Sequence, residues 1–427
     1  MTYAETVQYL YDSAPLFQKI GEGAYKAGLD NTHAFDSYFG HPHTRYLTIH
    51  IAGTNGKGSV AHTIAAVLQA MGYKTGLYTS PHLMDFRERM RVNGTCIDKD
   101  YVVNFVRSYR HFLEPLHPSF FELTTSMAFK YFADSRVDVA VIETGLGGRL
   151  DCTNIIKPLV SIITNISLEH THLLGSTLTA IAGEKAGIIK PHVPVVIGEA
   201  TDETRKVFDA KARSGNSPII YAEEAEPVIV TSDSECINID DINYELSGDC
   251  QLKNARTTAV AIDQIIRRGI RLNGDSVRKG FAGVCEMTGL MGRWQTVGMS
   301  PTVICDTGHN PGAWQYLGQR LHDIAGRSTL RIVFGMAADK DIDTVMTLLP
   351  RQALYYWAKA SVRRALCEDA VMRKGAAHGL QGTAFPNVPA AYRSAMAASS
   401  PSDTIFIGGS CFIVADLLSY LNADKTR

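Results

Sequence analysis

The chain has 427 residues, enough for two or more domains with full-sized cores, and its 45% apolar and 20% charged content is that of a globular protein. A net charge of -1 gives no general pull toward nucleic acid or an anionic membrane, so any anion must be held by a local site. The eight cysteines form no C-x-x-C pair, against a zinc ribbon, redox motif or disulfide framework, and neither a secretory leader at Met1–Thr6 nor a bilayer-length apolar run is present, so the expected location is cytoplasmic.

Leu47 to Ala52 reads as a buried strand, and Gly53-Thr54-Asn55-Gly56-Lys57-Gly58-Ser59 follows it. Small residues there let successive backbone N–H groups close around phosphate oxygens. Lys57 adds a point charge, and the next helix offers its positive N-terminus. Val60, Ile64, Val67, Leu68 and Met71 give that helix one apolar face. The general phosphate-loop pattern wants Ser or Thr directly after the lysine and glycine six residues before it; here those positions hold Gly58 and Ile51. In the functional reading Lys57 contacts the terminal phosphates and Ser59 lies near their metal-bound end. The bland alternative is a glycine-rich turn with a solvated lysine.

Thr75 to Thr79 is a short strand ending at Ser80-Pro81-His82-Leu83. Strand ends of a parallel sheet form its ligand crevice, which makes Ser80 a candidate magnesium ligand, although a Ser-Pro turn is more often structural. Helices are expected around 99–113 and 122–133. Val137 to Ile142 is a buried strand that delivers Glu143 to its end, before Thr144-Gly145-Leu146-Gly147-Gly148-Arg149-Leu150-Asp151. A buried acid is costly unless paired or metal-bound, and magnesium favours one or two carboxylates with phosphate oxygens and water. The glycines also suggest a dinucleotide turn, whose last glycine is replaced by Leu150. After the strand Leu159–Thr164, either His170 or His172 is a candidate metal ligand, against the structural role more usual for a lone histidine.

A helix near 177–189 carries Lys185 on an otherwise apolar segment, either solvated or desolvated and ready to lose its proton. The strand Val193–Ile197 follows. Residues 225–249 change to short antiparallel strands such as Pro227–Val230 and Ile237–Ile239, and a helix spans about 252–268. A second alternation has strands at Thr302–Cys305, Leu330–Phe334, Leu354–Trp357 and Thr404–Ile407. Gly298 and Pro301 place the boundary near 297–300, giving domains 1–297 and 298–427. Asp306-Thr307-Gly308-His309-Asn310-Pro311 ends the first of these strands and opens a helix. Both this turn and Arg293 are candidates to close over a nucleotide from the far side. The alternation makes the fold α/β with a parallel-rich sheet.

These pieces, in this order, resemble the Mur ligase superfamily and, within it, the folylpolyglutamate synthase branch, whose bacterial members are often also dihydrofolate synthases. The resemblance runs from about residue 20 to the end. It is carried by Gly53–Ser59, Thr79–Leu83, Glu88–Gly94, Phe120–Glu122, Gly145–Asn154, His170, Gly183–Gly187, Asn254, Gly292-Arg293 and Asp306–Pro311. It implies an ATP-dependent amide ligase with a phosphate-loop ATPase domain, a small β insertion and a Rossmann-like C-terminal domain. In that family a substrate carboxylate takes the γ-phosphate of ATP, and the acyl phosphate is then captured by the amino group of L-glutamate.

Carried over by position, Asn55, Gly56, Lys57, Gly58, Ser59, Asn254, Arg293 and Asp306 match ATP contacts. Ser80, Glu143, His170 and a carbamylated Lys185 match the ligands of two magnesium ions. Ser119, Phe120, Phe121, Glu122, Leu150, Asp151 and Cys152 match the pterin side. Lys57, His170, Lys185 and His309 are the expected catalytic positions. The partners implied are dihydropteroate or a reduced folate, L-glutamate and ATP, with room for a monovalent cation. A monomer is expected, with no nucleic acid and no membrane. The departures are Cys152 and Gly308, each where alanine is usual, and Leu290-Met291 in place of Leu-Pro. A Mur-type ligase for another carboxylate, or a nucleotide-driven binding module, are the alternatives.

Overall fold

The computed structural model describes residues 1–13, 28–226 and 228–425. The start of the resemblance near residue 20 and Pro227, read as the start of a strand, lie outside that set. The chain divides into two units, Met1–Leu290 and Met291–Arg427.

In the first unit, β1 (Leu47–Ala52), β2 (Thr75–Tyr78), β3 (Met90–Val92), β4 (Thr95–Cys96), β5 (Val139–Glu143), β6 (Ser161–Ile163), β7 (Val195–Ile197) and β8 (Ile219–Tyr221) form one sheet. Its order is β4-β3-β2-β5-β1-β6-β7-β8. Neighbours from β2 to β8 run parallel, and β3 and β4 add an antiparallel edge. The near-continuous apolar runs of β1 and β5 suit a sheet covered on both faces. Successive residues point to opposite faces. Val139 and Val141 join the core with Val60, Ile64 and Val260, while Ala140 and Ile142 join the core with Phe120, Met127 and Phe129.

The helix Lys57–Met71 is buried round most of its circumference rather than on one face, every residue from Ser59 to Leu68 included. The helices Asp249–Arg267 and Gly274–Ala282 supply the extra cover, through residues such as Ala255, Val277 and Phe281. Within 225–249, β9 (Val228–Val230) and β10 (Cys236–Asn238) pair antiparallel as a separate sheet, and Ile229 and Ile237 pack into the same core. Among the described residues no helix is long and apolar enough to cross a membrane.

The second unit is built on β11 (Gln295–Met299), β12 (Thr302–Cys305), β13 (Leu330–Phe334), β14 (Leu354–Ala358), β15 (Gly382–Phe385) and β16 (Thr404–Gly408), in the order β11-β12-β16-β13-β14-β15. All pairs are parallel except β11 with β12. Trp314, Leu321, Phe334, Trp357 and Phe406 fill its core. The division at Leu290/Met291 falls before the 297/298 position expected from Gly298 and Pro301. Those residues are a hairpin rather than a linker: Gln295 pairs with Cys305 and Met299 with Thr302, so β11 belongs to the second sheet.

Register positions the site. Ile51 is level with Glu143, and Ala52 with Ile163. β1, β5 and β6 therefore end together, and the loops that follow them leave from one edge, the crevice of an open parallel sheet.

Candidate active site

The phosphate-type loop is moulded by its neighbours. Gly53 has φ +149°, and a Cβ there would overlap Thr164 Oγ1; Gly56 has φ +82°, and a Cβ would overlap Asn254 Oδ1. Thr54 N–H donates to the Asn165 carbonyl at 2.9 Å, and Asn55 N–H donates to Asn165 Oδ1 at 3.0 Å. Thr164 Oγ1 donates to the Asn55 carbonyl at 2.5 Å. The helix Lys57–Met71 starts from Gly56 with no side-chain cap, and Val60 N–H makes the first intrahelical bond, to Gly56 O at 3.0 Å. The N–H groups of residues 57–59 thus precede the helix's own ladder, as an anion site requires. Ser59 Oγ is buried with no hydrogen-bond partner among the described residues.

Two ammonium groups meet at this loop. Lys57 Nζ donates to the carbonyls of Gly53 at 3.0 Å and Thr54 at 3.1 Å. Lys185, at the end of the helix Leu178–Ala186, donates to the same Gly53 carbonyl at 2.8 Å. Lys185 is buried, which removes its solvated reading. Burial first, and the nearby positive charge of Lys57 second, bring its pKa from 10.5 down to about 7.

On the other side of β1, the buried Glu143 ends β5, and Ser80 N–H donates to Glu143 Oε2 at 3.2 Å. Next to Glu143, Thr144 Oγ1 is buried without a hydrogen-bond partner among the described residues. His170 precedes the short helix Thr171–Leu174 with φ 51°. Among the described residues no cluster of three His, Cys, Asp or Glu forms a metal cage. The Glu143 carboxylate with Ser80 beside it, and separately the orphaned Ser59 hydroxyl at the phosphate-type loop, are nonetheless donor types that suit magnesium shared with phosphate, because the ion demands few protein ligands there.

The glycine turn 145–151 is not a dinucleotide turn. It leads into the short 3-10 turn Cys152–Ile155, so no long helix offers its N-terminus. Asp151 organises it instead. Oδ2 accepts from Gly145 N and Leu146 N at 2.8 Å each, and Oδ1 accepts from Thr153 N at 3.0 Å and Thr153 Oγ1 at 2.5 Å. Arg149 N–H donates to the Glu184 carbonyl at 2.7 Å, tying the turn to the helix of Lys185. Ser119 and Glu122 form a reciprocal capping box on the helix Phe120–Asp134. Phe120 is buried, and Phe121 lies against Gly145, where a Cβ would meet its ring. Leu150 is partly buried and Cys152 buried, at the end and just beyond this turn.

In the second unit, Asp306 follows β12 and accepts from Trp294 N at 2.7 Å and Gly308 N at 2.8 Å. Burial raises its pKa, against the pull of Arg293. Arg293 Nη1 donates to Thr307 Oγ1 and, at 3.2 Å, to Gly292 O. His309 Nδ1 lies 3.1 Å from the Thr307 carbonyl, which can only accept, so that nitrogen carries a proton. Leu317 occupies the space that a Cβ at Gly308 would enter. Burial raises the pKa of Cys411, at the start of the helix Cys411–Lys425, while Arg364, Lys340 and Arg293 pull it down. Arg364 lies over the Phe412 ring at 5.2 Å, beside that helix start. Sequence reasoning missed Lys340 and Arg364, which carry no local motif, and missed the bracing role of Thr164 and Asn165.

Two family models match the chain: the Mur ligase middle domain over residues 51–262 and the Mur ligase glutamate ligase domain over residues 292–411. A dihydrofolate synthase/folylpolyglutamate synthase of Bacillus subtilis is 32% identical over 366 residues, covering 81% of this chain and 84% of the relative. The chain belongs to this family of ATP-dependent glutamate ligases. A probable bifunctional folylpolyglutamate synthase/dihydropteroate synthase of Haloferax volcanii is 33% identical over 97% of this chain, which spans only 50% of that relative's length. Escherichia coli FolC, solved with DHPP and ADP, superposes with a TM-score of 0.85 at 28% identity, covering 100% of this chain and 99% of that one. The Yersinia pestis bifunctional enzyme, solved with AMPPNP and Mn, gives 0.84 at 27% identity, covering 99% of this chain and 98% of that one.

Proposed function

We propose that this chain joins L-glutamate to dihydropteroate and to the γ-carboxylate of reduced folates. The observation that carries the reading is the meeting of Lys57 and Lys185 at the Gly53 carbonyl, beside a helix N-terminus without a side-chain cap. A carboxylate and a triphosphate repel each other, and fixed cations with aligned N–H groups offset that repulsion where charge develops.

In the first step a substrate carboxylate oxygen bonds to the γ-phosphorus of ATP, and the bond from that phosphorus to the β-bridging oxygen breaks, releasing ADP. In the second, the neutral amine of glutamate bonds to the acyl carbon, phosphate leaves, and the nitrogen gives up a proton. Asn55 to Ser59 hold the phosphates, and Lys57 steadies the group in transfer. Asn254, Arg293 and Asp306 are nucleotide contacts. His309 is the catalytic position proposed in the second unit. Ser80, Glu143 and His170 would hold magnesium, which when bound supplies further positive charge to the phosphates. Phe120, Phe121, Leu150 and Cys152 line the pterin side, with Ser119, Glu122 and Asp151 shaping it. The cations near Cys411 suit the carboxylates of glutamate, in keeping with the glutamate ligase domain matched there.

Lys185 is proposed to act as a carbamate. Its neutral amine adds to the carbon of CO2 and releases one proton, turning a cation beside Lys57 into an anion able to share a second magnesium. A pKa near 7 supplies the neutral amine at ordinary pH. The protein is proposed to work as a cytoplasmic monomer.

Incubation of the purified protein with ATP, magnesium, L-glutamate and either dihydropteroate or tetrahydrofolate should give products heavier by one glutamate residue. No mass gain with either acceptor overturns the proposal, and a gain with one alone restricts it to that ligation. Parallel assays with and without potassium decide the monovalent-cation requirement, and gel filtration with light scattering decides the oligomeric state.

A further inference from the structure

The phosphate loop is gripped from two sides. Asn165 and Thr164, beyond β6, hold its Thr54 and Asn55 backbone groups. On the other side Asn254, from the helix Asp249–Arg267, stands where a Cβ at Gly56 would have to be. The spacing between that helix and the sheet edge therefore sets the width of the grip.

One side-chain pair spans the gap. Lys253, the residue before Asn254, places Nζ 2.5 Å from Glu199 Oε2, beyond the end of β7. Glu199 is anchored to the same strand-end network, since its N–H donates to the Thr164 carbonyl at 2.9 Å. Its other carboxylate oxygen lies 3.5 Å from Asn165 Nδ2. That contact fits the amide orientation required by Asn55, whose N–H donates to Asn165 Oδ1. Gln251 completes the arrangement by accepting from Asn254 Nδ2 at 3.0 Å, which turns Asn254 Oδ1 toward the loop.

We propose that the Glu199–Lys253 ion pair is a latch that positions the Asn254 helix against the phosphate loop and so sets affinity for the nucleoside triphosphate. Both are positioning residues, acting through Asn165 and Asn254 without touching the reacting atoms. The inference rests on the reading of Gly53–Ser59 as the nucleotide site. The pair is partly exposed, so its effect is modest: loss of either charge should raise KM for ATP roughly two- to fivefold, the scale of such an ion pair.

The test measures full steady-state kinetics of Glu199→Gln, Lys253→Met and the double reversal Glu199→Lys/Lys253→Glu. The single variants should raise KM for ATP while leaving kcat and the KM for folate within twofold of the parent, and the reversal should restore most of the ATP affinity. An unchanged KM for ATP in both single variants overturns the latch, as does a reversal no better than either single change. Calorimetric binding of AMPPNP, a non-hydrolysed triphosphate analogue, to the parent and to Lys57→Ala separates the two levels. If Lys57→Ala binds AMPPNP like the parent, the loop reading fails. If it binds more weakly while the latch variants match the parent, only the latch fails.

Discussion

Two strand–turn–helix segments of this chain look alike and use their helix starts in opposite ways. β1 runs through Gly53–Gly56 into Lys57–Met71, and β12 runs through Asp306–Asn310 into Pro311–Ala325. The first helix opens on a glycine with φ +82°, which supplies no side-chain cap. The second is closed: Asn310 Oδ1 accepts from Ala313 N at 2.9 Å, and Pro311 has no N–H to offer. The first turn therefore leaves backbone N–H groups available, whereas the second presents side chains, Asp306 and His309 with Arg293 nearby. Similar topology does not imply similar chemistry; the capping residue decides which groups remain available.

The contrast can be broken by experiment. The largest effect is expected for Lys57→Ala, with a loss on the order of 10²–10³ in kcat, the scale of one preorganised charge stabiliser. Near-normal turnover would remove the first turn's distinction. Lys185→Ala should lose about 10² and recover in part with an added short carboxylic acid. Labelled 13C-bicarbonate should give a carbamate resonance in the parent that is absent from the variant. The sign of the pH effect is fixed as well. Between about 7 and 10.5 the unfolded chain holds the Lys185 proton more tightly than the folded one, so stability should rise with pH across that window. In Lys185→Met that part of the rise should disappear from urea titrations.

Smaller effects belong to the second segment. Asp306→Ala leaves the partly buried Trp294 and Gly308 N–H groups without their acceptor and should cost about 1 kcal/mol, read as a lower thermal midpoint of the second unit. Asn310→Ala should cost about 1 kcal/mol with kcat unaffected, because its carbonamide caps a helix and touches no reacting group. A fall in kcat without loss of stability would give Asn310 a role the cap does not explain.

Much of the frame was legible from local pattern. Strands such as β1, β12 and β13 are apolar runs between strong punctuation, and their limits could be read directly. β11 was hidden because Gly298 and Pro301 signal a break equally well when the chain is turning a hairpin. β3, β4, β8 and β15 are short, and strands of two to four residues carry almost no periodic signal. In the site, the spacing of Lys57, Ser80 and Glu143 along the chain was informative because each follows a strand. The burial of Lys185 was not readable, since Gly53, whose carbonyl accepts its hydrogen bond, lies far away in sequence. Ser119 and Glu122 had a readable local meaning: S-x-x-E before an apolar run is a capping box, and the structure contains it. Asn165 had no such signal, because its partners, backbone atoms of the Thr54-Asn55 loop and the Glu199 carboxylate, lie far from it along the chain.

The carbonyls of Gly53 and Thr54 have a consequence for how phosphate is taken up. They already solvate the Lys57 ammonium from within the loop, so on the proposed reading a triphosphate competes with two peptide oxygens for that charge. Lysine suits such an exchange, since its three donors can turn from one set of oxygens to another on a flexible stem. A guanidinium in its place would hold its partners in a fixed plane. Lys57→Arg keeps the charge yet loses that freedom, and the handover of the cation from peptide to phosphate is the step it should slow.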